Sequence, residues 1–281
     1  MATPSTDGKG VVTNGMAQQS VSGVKGQGIY DTSTTAKGPV GALLTLEDGR
    51  KFRYCYFGGA VGAGKLAALD VTSQVVATTA ATALKNSAGT AADYAAGATG
   101  PIYLLDTDKF TAAHSDGVFD GGYLSHTVAG GLVKIAQSNY TAATSLMKLD
   151  IYDPLPIAFD SEDTVQVIGS DFYNLVIATT TDIAVVGIPL VDVAAGSYAW
   201  VQRSGVAPAL CDGTIASGTL LTLSDGTSGA VQEIGGAIVY ASEIVTTSDL
   251  ALTAITTEPF VGNAVSTGAN AAYFTIRIFF E

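Results

Sequence analysis

The chain has 281 residues, with 13 Lys and Arg against 25 Asp and Glu, a formal net charge of -12, and only 14% of its residues are charged. About 25% is usual for a globular domain, so these charges are too few to cover a freestanding exterior in the ordinary way. That balance argues for a coat, shell or fibre component over a cytosolic enzyme. The deficit of cations argues against nucleic-acid binding, and the length builds a core without a metal or disulfide staple.

Residues 1–41 are rich in Gly, Ser, Thr and Lys and poor in large apolar groups. They bury too little to offset their own ordering and are expected to form an extended arm outside the body. Residues 1–53 hold six Lys and Arg against four Asp and Glu, whereas 149–281 hold Arg203 and Arg277 against fifteen Asp and Glu. A basic arm thus precedes an acidic body. The start MATPSTDGKG has no charged and apolar regions of a secretory signal. No apolar run reaches the roughly 18 residues of a membrane span. The expectation is synthesis in a host cytoplasm and no membrane association.

The first strand signal lies at 42–57, where Phe52, Tyr54 and Tyr56 alternate with Arg53 and Cys55 after the turn pair Asp48-Gly49. Period-two alternation across Asp-Gly predicts a β-hairpin. Residues 72–101 are mostly Ala, Thr, Gly and Ser and read as a surface insertion, with a short helix near 91–96 as one option. Beyond it, apolar runs fall at 102–105, 123–128, 132–136, 147–152, 164–168, 175–178, 184–188, 198–202, 220–223, 237–240, 260–265 and 273–280. Turn pairs sit at Asp116-Gly117, Asp120-Gly121, Ser204-Gly205, Asp212-Gly213, Ser217-Gly218 and Asp225-Gly226. Short strands so punctuated predict an all-β fold of sandwich or barrel type. In the last run Phe274, Ile276, Ile278 and Phe280 should face a core. The expected organisation is an arm at 1–41, a β-rich domain at 42–148 carrying the 72–101 insertion, and a second β-domain at 149–281.

Motifs that carry chemistry are few. Gly59, Gly64 and Lys65 fit the GxxxxGK pattern of a phosphate-binding loop. Leu66 stands where the metal-holding hydroxyl belongs, and no alternating βα series follows, so a plain connection between strands is expected. His114 and His126 lack zinc-hydrolase spacing. Asp106 with Asp108, and Asp160 with Glu162 and Asp163, would supply only part of the 6–8 oxygens that Ca²⁺ takes, and are read as solvated turns. Cys55 and Cys211 lack CxxC spacing, and a disulfide between them is left open. Tyr152, Phe159, Phe172, Tyr173, Tyr198 and Trp200 are expected to anchor a core or an interface. No catalytic residue, cofactor or metal ligand is expected.

The order of several segments carries a resemblance. These are Glu47 to Tyr54 (EDGRKFRY), Ala63 to Leu66 (AGKL), Leu149 to Ile157 (LDIYDPLPI), Val186 to Leu190 (VGIPL), Ala195 to Gln202 (AGSYAWVQ), and the stretch from Gly205 to Gly213. Together they are similar to virion structural proteins of tailed bacteriophages, and the carboxy-terminal part resembles head decoration (cement) proteins. The resemblance covers roughly residues 42–281 and implies a β-fold and self-association, often as a trimer. It also implies docking on the major capsid protein at the outside of the head, with no catalytic residues to carry over. The 72–101 segment has no counterpart in that pattern. A tail, fibre or carbohydrate-binding adhesin component is the alternative. The major capsid protein itself would need a long spine helix, and no sustained 3.6-residue period is present.

Overall fold

The computed structural model describes residues 18–19, 24, 26–70, 75–77, 84–105, 110, 117–180, 184–234 and 259–280. Among the described residues there is no helix, and the fold is all-β. The strand expected at 237–240, His114, and the Asp106–Asp108 pair lie outside the described residues.

The larger sheet contains β1 (Gln18–Gln19), β2 (Leu43–Leu46), β3 (Lys51–Phe57) and β4 (Ala67–Leu69). The smaller sheet is built from the next seven strands. These are β5 (Val75–Ala77), β6 (Leu84–Lys85), β7 (Ile102–Leu105), β8 (Tyr123–His126), β9 (Leu132–Thr141), β10 (Leu146–Ile151) and β11 (Val165–Ile168). The chain then returns to the larger sheet with β12 (Leu175–Ile177), β13 (Val185–Pro189), β14 (Ser197–Leu210), β15 (Leu220–Leu223), β16 (Val231–Glu233), β17 (Phe260–Ala264) and β18 (Tyr273–Phe279). The smaller sheet is therefore inserted between β4 and β12 of the larger one. The boundary expected between 148 and 149 falls inside β10. Sheet pairing, which local composition does not report, divides the chain at about residues 70 and 172 instead.

The larger sheet runs β1-β2-β3-β12-β4-β13-β14-β18-β17-β15-β16, and β3 also pairs with β14. That extra pairing closes β3, β12, β4, β13 and β14 into a five-stranded ring. Each ring strand sends side chains into one buried cluster, among them Phe57, Ala67, Leu175, Val186, Ala199 and Val201. Several of these side chains are small, which suits the narrow bore of so few strands. Strand β14 is long because it serves three neighbours: residues 197–204 pair with β3, 201–202 with β13 and 204–210 with β18. The junction carries a register shift between Gln202 and Ser204. Gly205 there has φ +93° and packs on Arg50. The Ser204-Gly205 pair, which reads as a turn, is thus a bulge inside a continuous strand.

Beyond the ring, β18, β17 and β15 form a flange over a second core. Ile276, Ile278, Leu221 and Val261 are fully buried in it and Phe274 is nearly so. The expected inward face of the last strand is present, with Phe280 partly buried. The smaller sheet runs β5-β11-β8-β9-β10-β7-β6. It buries Leu104, Leu124, Ile135, Met147, Leu149 and Val167 against Phe110, Phe119 and Phe159. Leu84, within the supposed surface insertion, belongs to that core, and Tyr94 bridges to Phe159 where a helix was an option.

Residues 26–41 hold no regular strand, yet they are not outside the body. Ile29 is 3% exposed and packs with Leu44, Phe52, Tyr54 and Trp200. Gln27 donates to the carbonyls of Asp31 and Tyr198, and Ser33 bridges to Tyr198. The Trp200 indole N–H donates to the Gln27 carbonyl. This segment covers the apolar outer side of β3 and β14. A few well-placed groups, Gln27 and Ile29, suffice to anchor a stretch whose composition alone reads as solvated.

Candidate functional site

The GxxxxGK loop joins β3 to β4, and six amides from Gly59 to Leu66 already have partners within the chain. Gly59 donates to Leu175, Val61 to Val193, Gly64 to Pro189, Lys65 to Gly62 and Leu66 to Gly229. The Ala63 amide donates to Asp192 Oδ1 at 2.8 Å. A phosphate cradle needs convergent free N–H groups, and here an aspartate of the chain occupies the position an anion would take. Gly64 has φ +72°, and a Cβ added there would stand 2.8 Å from the Tyr273 ring. Its glycine serves packing. Leu66 is buried, and the chain continues into β4 with no helix to lend a dipole. The loop, Asp192, Pro208 and Tyr273 line an open cleft of about 260 Å³. Asp192 is committed to the Ala63 amide, and the pattern reads as a strand connection.

His126 and Asp163 come together, which spacing did not foretell. The His126 Nε2 lies 2.9 Å from Asp163 Oδ2, and the imidazole is 5% exposed. Its Nδ1 accepts the amides of Val128 and Ala129 at 3.1 and 2.9 Å. Because Nδ1 accepts, the ring proton sits on Nε2 and is donated to Asp163. Both nitrogens are therefore occupied, and a general base needs one free. The pair pins the β8–β9 hairpin tip, and Phe159 packs edge-on against the imidazole.

Asp163 also accepts the Asp160 amide at 2.7 Å. Burial pushes its carboxyl up, but the hydrogen bonds from the Asp160 N–H and the His126 N–H outweigh that and hold it below the usual range. The Asp160–Glu162–Asp163 group is thus an organised turn. Asp93 completes it by accepting the Ser161 amide. Among the described residues, no three His, Cys, Asp or Glu side chains are placed to hold a metal ion.

The aromatic residues divide between seam and surface. Trp200, Tyr54, Tyr198, Tyr56 and Tyr173 form a continuous ladder with centroid spacings of 5.2, 6.0, 4.9 and 4.5 Å. The ladder runs from the outer core of the ring to the core of the smaller sheet, which Tyr173 joins. Burial, then the neighbouring Tyr198, Tyr56 and Asp120, pushes the Tyr173 phenol well up. The guanidiniums of Arg53 and Arg203 both lie over the Phe172 ring, at 5.2 and 5.4 Å. Phe159 is fully buried, while Tyr152 is exposed and carries Lys134 over its ring. Cys55 and Cys211 are free, buried thiols. Burial pushes Cys55 far up, Arg203 and Arg53 opposing only in part.

Several large apolar side chains face outward. Val128, Leu132, Tyr152, Val206, Leu220, Phe260, Tyr273 and Phe279 are all at least 44% exposed. The alternation along β18 puts Tyr273 and Phe279 on its outward side, but the surfaces assemble only in three dimensions, because neighbours on a sheet come from distant segments.

No protein-family model, curated protein or solved structure matches the chain. Among the described residues no helix is long and apolar enough to cross a membrane.

Proposed function

We propose that this chain is a structural component of a tailed-phage virion, a decoration protein that binds the outside of the head and bridges capsid subunits. The observation that carries the reading is the outward apolar surface on a body so poor in charge. Large exposed apolar side chains grouped on sheet faces mark interaction surfaces. A part that binds only the assembled shell stabilises it by mass action. The acidic balance of 149–281 suits an outward position, away from packaged DNA. The buried Trp200 and the aromatic ladder serve cohesion, which favours this role over a sugar-binding adhesin that would display them. Self-association, most simply as a trimer at the three-fold positions of a shell, belongs to the same reading.

Cryo-electron microscopy of the particle carrying the chain tests it. Density for the all-β body on the head exterior is expected. Particles that carry it only on tails, or never carry it, would overturn the proposal.

A further inference from the structure

One outward face has Arg277 near its centre. Val206 of β14 lies opposite Arg277 of β18, Arg277 opposite Asn263 of β17, and Asn263 opposite Leu220 of β15. These four residues form a row across four strands. Phe279, two positions along β18 on the same face, stacks on Phe260 with centroids 6.2 Å apart and planes within 5°. Val206, Leu220, Phe260 and Phe279 are all about half exposed. Among the described residues Arg277 pairs with no carboxylate. A partner for this face must be apolar with an acid beside the apolar part, since a desolvated guanidinium needs a counter-charge.

The chain itself carries such a shape. Val128, at the β8–β9 hairpin tip, is 85% exposed, and Leu132 behind it is 55% exposed. The tip is held rigid by the two amides that His126 accepts and by the Asp163 that orients His126. Thr127 is tied to the Thr164 carbonyl, which sets the exposed Asp160 and Glu162 turn beside the tip. The result is a preorganised apolar knob with an acidic collar, and preorganisation removes ordering cost from binding.

We propose that a second copy of this chain docks its Val128 tip on the Arg277-centred face, with Glu162 or Asp160 meeting Arg277. Two different surfaces meet, so the contact is heterologous and closes into a ring when the rotation allows. Packing the Arg277 face against itself would bring like charges together, which disfavours a symmetric pair. The inference rests on the reading of the chain as a self-associating virion protein and names the contact it would use.

Sedimentation of the full chain, as wild type and as Val128→Asp, Arg277→Glu and Glu162→Lys variants, tests it. All three sites are exposed, and circular dichroism checks that each variant folds. Val128→Asp should weaken association by about tenfold or more, as for an anchor residue. Each charge reversal should weaken it severalfold, and the double reversal should regain part of the loss. Wild-type protein that associates while all three variants associate equally well would overturn the contact alone. Association without attachment to phage heads would overturn the virion reading and leave the contact standing. Variants that lose head attachment but still associate would assign the face to a capsid subunit and refute a second copy. A wild type that stays monomeric refutes the contact outright.

Discussion

One hydroxyl in the packing of residues 26–41 on the ring can be removed cleanly. Tyr54 is fully buried. Its OH donates to Gln27 Oε1 at 2.7 Å and accepts the Lys37 amide at 3.0 Å. Tyr54→Phe keeps the ring and its contacts with Trp200 and Tyr198 but leaves Gln27 Oε1 buried without a donor. A buried group left unpaired costs about 1–3 kcal/mol. The Lys37 amide belongs to an exposed residue, so water replaces its partner at little cost. The sum is about 2 kcal/mol, which raises the local opening equilibrium about 30-fold. Limited trypsin digestion of the native protein reads this directly, because cleavage after Lys37 needs the segment to open. When reclosing outpaces cleavage the rate follows that equilibrium. Tyr54→Phe should therefore accelerate cleavage at Lys37 by about 30-fold. The same change in a Gln27→Leu background should have a much smaller effect, since no acceptor is then orphaned. Rapid cleavage at Lys37 in the wild type, unchanged by Tyr54→Phe, would refute the packing and restore an arm outside the body.

Three further outcomes are expected. The Asp163 carboxyl is held below the ordinary 3.8 in the folded protein, so its stabilisation is complete above that value and fades as pH falls through the folded one. Denaturant melts of wild type and Asp163→Asn should differ by a constant amount near neutrality and converge in acid; a gap that widens in acid would contradict the assignment. Cys55 and Cys211 should resist a thiol reagent in native buffer and both react on unfolding, whereas rapid native labelling, or no reaction in denaturant without reductant, would contradict buried free thiols. Calorimetry with Mg-ATP should show no saturable heat, because most of the loop amides are spent within the chain; micromolar binding abolished by Lys65→Ala would refute that.

The strands themselves were legible from local pattern. The alternation of Tyr273 to Phe280 determined which side of β18 is buried, and Asp48-Gly49 determined the first hairpin, because both signals lie within a few residues. Leu66, in the place after GxxxxGK where a hydroxyl belongs, already spoke against phosphate binding. Tertiary structure decided what depends on distant partners. Asp192 fills the Ala63 amide from 129 residues away. Gln27 meets Trp200 across 173, which turns a polar-looking arm into a cover for the ring. Gly205 supports a bulge because β14 must pass from β3 to β18, whereas locally Ser204-Gly205 has the chemistry of a turn. The closure of β3 on β14, and the insertion of the smaller sheet between β4 and β12, are choices of which edge pairs with which. Backbone hydrogen bonds carry no residue identity, so that choice is settled only when the buried faces of remote strands pack together.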